Sequence, residues 1–306
     1  MTLPNFLVVG AARCGTTSLH YYLAQHPDIC MSDVKEPNFF LFDQTGDRRP
    51  FVADRRIIGK SIADRHAYER LFSSPSASAV GEASPLYLYV EETPALIAGI
   101  LPDARIIAVL RDPVDRAWSH FRYVTGMPAG EASSAFLEAA RVELPLPDEP
   151  YRTGTHYLRL GRYARQLQRY VDGFGRDAVM CLSYDDLVGS PNAVLAEVCR
   201  FLGIDDAFAF DTGVRWNPGS VSSRGALDRF VAPLLPRLKR SLPATIVGPA
   251  ARLRARRRAG RAGAAAETPA AAYELTDGYF ADDIAWVRSS FGLDLARPSR
   301  GGESAG

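Results

Sequence analysis

The sequence predicts an α/β fold in three layers, with a central, mostly parallel sheet flanked by helices. Three observations predict it. Short apolar runs of strand length recur along the chain, as in "FLVV" (6–9) and "IIAVL" (106–110). Between them lie segments whose apolar residues recur at helical spacing. The connections between the two kinds of segment are short. A strand buried on both faces reads as an unbroken apolar run, and strands alternating with helices build a parallel sheet.

The elements follow in order. "FLVV" is a buried strand, and "TTSLHYYLAQH" (16–26) is a helix with Leu19, Tyr22 and Leu23 on one face and Pro27 beyond its end. "DICM" (28–31) is a second strand, and "VGEASPLYLYV" (80–90) a strand and turn. "TPALIAGILP" (93–102) opens as a Thr-Pro helix start and stops at Pro102. "ARIIAVLRDP" (104–113) is the clearest strand, with Arg111 at its end and Asp112-Pro113 opening the helix "PVDRAWSHFRYV". A helix-and-loop insertion is expected over 131–155. "GRYARQLQRYVDGFG" (161–175) is an amphipathic helix closed by glycine, and "AVMCLSYDDL" (178–187) a buried strand. "SPNAVLAEVCRFLGI" (190–204) is a helix with Ser190 as cap and Pro191 at its first position. "YELTDGYFADDIAWVRSSFGLDL" (273–295) reads as one amphipathic helix packing back on the domain.

The 306 residues approach the upper limit for one hydrophobic core, so length alone allows one large domain or two. A formal net charge of +1 argues against a polyanion binder such as a nucleic-acid protein. Lys35, Lys60 and Lys239 are the only lysines, and arginine with frequent alanine suggests a GC-rich bacterial gene. Cys14, Cys30, Cys181 and Cys199 form no C-x-x-C pair, so no structural zinc site is expected. Cys30, Cys181 and Cys199 lie in apolar runs and are expected to be buried thiols. The first apolar run has no basic region before it, and no stretch reaches membrane-spanning length. The expectation is a cytoplasmic protein with reduced thiols. The Arg/Ala-rich segment 237–266 reads either as a mobile basic excursion or as a surface for an acidic acceptor or membrane face.

The loop after the first strand carries the chemistry. Gly10 and Gly15 have the spacing of a phosphate-binding P-loop, but Thr16 stands at the lysine position. Free N–H groups at a helix start attract an anion, and Thr16, Thr17 and Ser18 add hydroxyl donors. Arg13 is the cation of the loop. The set suits a phosphate or sulfate monoester better than a triphosphate. Arg111, at the end of another strand, and Ser119, eight residues on, form a second anion-binding pair. An ordinary ion pair of Arg111 with Asp112 or Asp115 is the alternative. In "VKEPNFFLFD" (34–43), Glu36 precedes Phe39, Phe40 and Phe42. Aromatic neighbours can desolvate a carboxylate and raise it toward general-base range; a solvated loop glutamate is the alternative. His20 and His120 rank below Glu36 as bases, because helix positions already explain them.

Together these motifs resemble the PAPS-dependent sulfotransferases (donor 3'-phosphoadenosine 5'-phosphosulfate). The branch is that of single-domain bacterial enzymes and Golgi carbohydrate sulfotransferases. "VVGAARCGTTSLHYYLAQHPDI" resembles the family's 5'-phosphosulfate loop, "KEPNFF" its lysine–glutamate segment, "GEASPLYL" its next strand and "VLRDPVDRAWSHF" its 3'-phosphate motif. The helix–strand–helix from Gly161 to Ile204 is also similar, and the likeness covers roughly 4–230.

The resemblance implies a single P-loop-type domain, read over 1–298, with a variable acceptor-side insertion at 125–160; the last residues, 299–306, read by themselves as a disordered tail. It implies PAPS across the strand ends, PAP as product and no metal. Arg13, Cys14, Gly15, Thr16, Thr17 and Ser18 would hold the phosphosulfate, and Arg111 with Ser119 the 3'-phosphate. Arg224, in "NPGSVSSRG" (217–225), would be a further phosphate contact in the covering loop. Glu36 would be the general base for a hydroxyl or amine of a small-molecule or glycan acceptor. Arg13 replaces the family's usual lysine, as in tyrosylprotein sulfotransferases, and would stabilise charge on the leaving oxygen. Ala83 stands where carbohydrate enzymes often have lysine. A P-loop kinase and a catalytically impaired nucleotide-binding relative are the rival readings.

Overall fold

The computed structural model describes residues 3–43, 50–51, 54–72, 77–146, 156–213 and 267–296. Five strands form one sheet: β1 (Phe6–Gly10), β2 (Ile29–Met31), β3 (Ala79–Ala83), β4 (Arg105–Leu110) and β5 (Val179–Ser183). Their order is β2-β3-β1-β4-β5, and every neighbouring pair is parallel. β1 lies at the centre with all five residues buried, which is why its sequence is unbrokenly apolar. At Gly81 of β3, a Cβ would lie 2.2 Å from the Phe6 ring, so the close approach of β3 to β1 requires glycine there. The chain winds first to β2 and β3 on one side of β1, then to β4 and β5 on the other. The C-terminal strand ends therefore share one edge, and the crevice beside β1 is the place where such sheets bind ligands.

Among the described residues the helices around the sheet are α1 (Thr16–Leu23), α2 (Arg55–Ile58), α3 (Arg65–Glu69), α4 (Thr93–Ile100), α5 (Pro113–Thr125), α6 (Ala129–Glu143), α7 (Tyr163–Phe174), α8 (Tyr184–Gly189), α9 (Pro191–Leu202), α10 (Ala270–Leu275) and α11 (Ala281–Phe291). Asp112 caps α5 through Oδ1, which accepts from Val114 N–H at 2.9 Å and Asp115 N–H at 2.8 Å. Around α5 a second core forms from Trp118, Phe121, Phe136, Tyr157 and Phe280. Glu143, at the end of α6, accepts from the N–H groups of Tyr157, Leu158 and Arg159 at 2.7–2.9 Å. The C-terminal helices join the same body: Asp283 of α11 accepts from Ala164 N–H at 2.9 Å and pairs with Arg162 Nε at 2.5 Å.

Several boundaries differ from the sequence reading. The segment 178–187 is strand only to Ser183, whose hydroxyl then caps α8 by accepting from Asp185 and Asp186 N–H at 3.2 Å. The terminal segment is two helices, not one. Thr276 turns its hydroxyl back to Ala272 O at 2.8 Å, and Gly278 takes a left-handed φ of 73°, which no continuing helix accommodates. The first helix ends at Leu23. Ser190 holds the cap position of α9 but its side chain makes no capping bond. Cys181 is only half-buried because β5 is a sheet edge, whereas Cys14, Cys30 and Cys199 are buried. The insertion contains α6, and its 147–155 portion, the segment 237–266 and the tail 299–306 lie outside the described residues.

Candidate active site

The loop leaving β1 is held from both sides. Ala11 N–H donates to Val109 O of β4 at 2.8 Å, and Leu88 N–H donates to Val9 O at 2.8 Å. Gly15 precedes α1 with a left-handed φ of 83°, and no side chain caps the helix start. The first N–H groups of a helix have no intrahelical partner, so this end of α1 suits an anion. Thr16 is buried, and Thr17 and Ser18 are half-buried. Cys14 faces inward: its Sγ lies 3.9 Å from Tyr163 Oη, and burial pushes its thiol up to about 11. The side chain of Cys14 therefore belongs to the core. Tyr163 also donates to Arg111 O at 3.0 Å, so one buried phenol backs both the loop and the end of β4.

Two arginines converge at the strand ends, each lying on a tyrosine ring. Arg13 Nε donates to Ser119 Oγ at 3.3 Å, and its guanidinium carbon lies 4.4 Å from the centre of the Tyr123 ring. Arg111 lies 4.7 Å over the Tyr184 ring, with Nη2 at 3.4 Å from Asp115 Oδ2. The pairing of Arg111 with Asp115 is thus real, but it leaves Arg111 Nε buried without a partner. Burial, with Arg111 as a like-charged neighbour, lowers the proton affinity of Arg13. Burial opposes the charge of Arg111 too, but Asp115 and Tyr184 outweigh it and raise its proton affinity. Behind them Arg116 is fully buried and donates to Tyr157 O, with Nε and Nη1 unpartnered.

The glutamate segment docks beside the end of β3, one strand from the loop. Glu36 N–H donates to Ala83 O at 3.1 Å. The expected desolvation of Glu36 is not found. Its side chain is 51% exposed and pairs with Lys35 Nζ at 2.6 Å. The aromatic residues turn inward instead, with Phe39 stacked on Tyr68 at 4.2 Å and Phe40 edge-on to Tyr87. The desolvated carboxylate here is Glu82 of β3, which is wholly buried. It accepts from Ser84 Oγ at 2.7 Å and Tyr68 Oη at 3.3 Å, and Ser84 Oγ accepts from Asn38 N–H at 3.1 Å. Burial raises Glu82 to about 7, with Ser84, Tyr87, Tyr68 and nearby Lys35 acting against that rise.

Among the described residues, the non-glycine residues with left-handed backbone are Arg13, Glu36 and Asn38. All three lie in these two loops. Such conformations are unfavourable for side-chain-bearing residues and concentrate at functional sites. His120 is neutral at ordinary pH, because burial and then Arg116 and Arg13 push it down to about 3. Arg224 lies outside the described residues.

A family model described as the sulfotransferase family matches residues 4–208. The chain belongs to the sulfotransferase family. Bifunctional heparan sulfate N-deacetylase/N-sulfotransferase 3 of Homo sapiens is 30% identical over 220 residues, which are 69% of this chain and 24% of that protein. Heparan sulfate glucosamine 3-O-sulfotransferase 6 of Mus musculus is 29% identical over 201 residues, 66% of this chain and 52% of that one. The crystal structure of a sulfotransferase from Alicyclobacillus acidocaldarius matches with a TM-score of 0.68 at 30% identity, over 96% of this chain and 98% of that one. The chain spans about a quarter of the length of the N-deacetylase/N-sulfotransferases it matches.

Of the expected residues, Arg13, Thr16, Thr17 and Ser18 lie in the loop and first turn after β1, Arg111 follows β4 and Ser119 is on α5, where Arg13 reaches it; Glu36 lies beside the end of β3. Sequence reading missed Glu82, Tyr123, Tyr163 and Tyr184. A glutamate between Gly81 and Ala83 in an apolar strand was a readable sign of a buried charge. Tyr123, four residues after Ser119 on a helix, was readable as sharing its face.

Proposed function

We propose that this sulfotransferase moves a sulfuryl group from PAPS to a hydroxyl or amine of a small-molecule or glycan acceptor, releasing PAP. One observation carries the proposal. Arg13 pairs with no carboxylate among the described residues, and Arg111 keeps a buried Nε without a partner. An Arg13 guanidinium with no carboxylate partner, beside an Arg111 that keeps one N–H unused despite its pairing with Asp115, suits a donor that is anionic at both its 5' and 3' ends. The loop 10–18 takes the phosphosulfate, and Arg111 with Ser119 takes the 3'-phosphate.

In the proposed reaction the acceptor atom attacks sulfur in line. The new S–O or S–N bond forms as the bond from sulfur to the bridging oxygen breaks, and the electron pair leaves on PAP. The acceptor proton passes to Glu36, whose exposed carboxylate faces solvent and an incoming acceptor. Arginine does not give up its proton at working pH, so Arg13 acts by neutralising the leaving oxygen. The proposal includes no metal, because Thr16 replaces the P-loop lysine and Arg111 stands where a strand-end acid would hold magnesium. The relatives named for heparan sulfate N- and 3-O-sulfation support a glycan amine or hydroxyl as acceptor. A cytoplasmic setting, with four free thiols, is part of the same proposal.

Calorimetry with PAP and with ATP, each with and without magnesium, tests the donor. PAP should bind tightly and without regard to magnesium. Tighter, magnesium-dependent ATP binding would overturn the proposal in favour of a kinase. Labelled PAPS incubated with desulfo-glycans and amino sugars then identifies the acceptor. With that acceptor, Arg13→Ala should lower turnover by about 10²–10³-fold, the scale of losing one charge-stabilising donor. Near-parent turnover would remove Arg13 from this role.

A further inference from the structure

Asp115, Ser119 and Tyr123 recur every four residues along α5, so they form a stripe on one helical face. Each meets an arginine from a strand end. Asp115 takes Arg111 at 3.4 Å, Ser119 accepts from Arg13 Nε at 3.3 Å, and Tyr123 lies under the Arg13 guanidinium at 4.4 Å. Tyr123 is 48% exposed, one of the few large apolar side chains left at the surface among the described residues. The core does not hold it, and its ring is spent on a cation. Arg13 has a left-handed φ of 73°, a conformation uncommon for a residue with a side chain. Its guanidinium touches Ser119 and Tyr123.

We propose that Tyr123 is the positioning residue that fits this loop for arginine in place of lysine. The ring holds the guanidinium flat while Ser119 takes Nε, which leaves both terminal nitrogens for the donor's bridging and sulfuryl oxygens. A planar guanidinium stacks on an aromatic face, whereas a compact, strongly hydrated ammonium gains less from the same ring. The pairing of Tyr123 with Arg13 is therefore specific. This inference deepens the proposed sulfuryl transfer and rests on it.

The test is a double-mutant cycle on the whole chain. Tyr123→Leu and Tyr123→Phe are made in the parent and in the Arg13→Lys background. PAP affinity is read by calorimetry, and PAPS cleavage in water by release of labelled sulfate. In the parent, Tyr123→Leu should weaken PAP and slow PAPS cleavage by about tenfold, as expected for a partly desolvated cation–π contact. Tyr123→Phe keeps the ring and should restore most of both. In the Arg13→Lys background, Leu and Phe at this position should behave alike, which a merely structural role would not produce. A thermal melt of each variant checks folding, and Tyr123→Met replaces the leucine variant if its melt collapses. Equal behaviour of Tyr123→Leu and Tyr123→Phe in the parent would overturn the proposal. An undiminished tenfold loss in the Arg13→Lys background would do the same. Failure of the parent itself to bind PAP would instead overturn the assigned donor, and this role with it.

Discussion

Replacing Glu82 with glutamine should change how stability depends on pH. The Glu82 carboxyl is wholly buried on β3 and raised from its ordinary value of 4.5 to about 7. Between those two values the folded protein holds a proton that the unfolded chain has released. The contribution of Glu82 to stability therefore falls as pH rises from about 4.5 to about 7, and is level above that. The gap of about 2.5 units, at about 1.36 kcal/mol each, corresponds to a loss of roughly 3 kcal/mol. Glu82→Gln removes the titration while keeping an oxygen to accept from Ser84 or Tyr68. Urea unfolding of parent and variant should be measured at intervals from pH 5 to pH 8. Other groups cancel in the difference, so the parent should lose a few kcal/mol relative to Glu82→Gln across the range. Parallel stability curves for the two proteins would refute the burial-driven shift.

Two further outcomes are expected. Glu36→Gln should cut sulfuryl transfer sharply while leaving PAP affinity nearly unchanged, since the half-exposed side chain pairs with Lys35 and is assigned to the acceptor rather than to the nucleotide; unchanged turnover removes it as the base. Gly81→Ala places a Cβ 2.2 Å from the Phe6 ring in a filled core, so it should destabilise the fold by about 1–3 kcal/mol in urea unfolding. An unchanged midpoint would show that β1 and β3 can part at no expense.

The loop after β1, Arg111 at the end of β4 and the parallel sheet are all legible in the sequence. Each is written in neighbouring residues: an unbroken apolar run, a Gly-to-Gly spacing, a charge where the run stops. The order of strands followed less directly, because nothing local says that β3 lies between β2 and β1. The break in the terminal helix was missed although Gly278 marks it, since the flanking apolar pattern stays in phase across the turn. The strand at 178–187 was read too long for a related reason: Ser183 ends β5 by capping α8, and apolar character alone does not register a cap.

What the chain's own order of residues settled is the set of chemical groups at the strand ends, because backbone geometry ties each group to its element. What it left open is who faces whom. Ser119 and Arg13 are 106 positions apart, and their hydrogen bond exists only because β1 and β4 are sheet neighbours. The same adjacency puts Tyr123 under the Arg13 guanidinium. Burial of charge was equally beyond the local pattern. Phe39 and Phe40 looked positioned to desolvate Glu36, but their rings fill the space against Tyr68 and Tyr87, and the carboxylate deprived of water is Glu82. Solvent access is a property of packed neighbours from distant segments, so it was decided when the sheet and its helices closed around these residues.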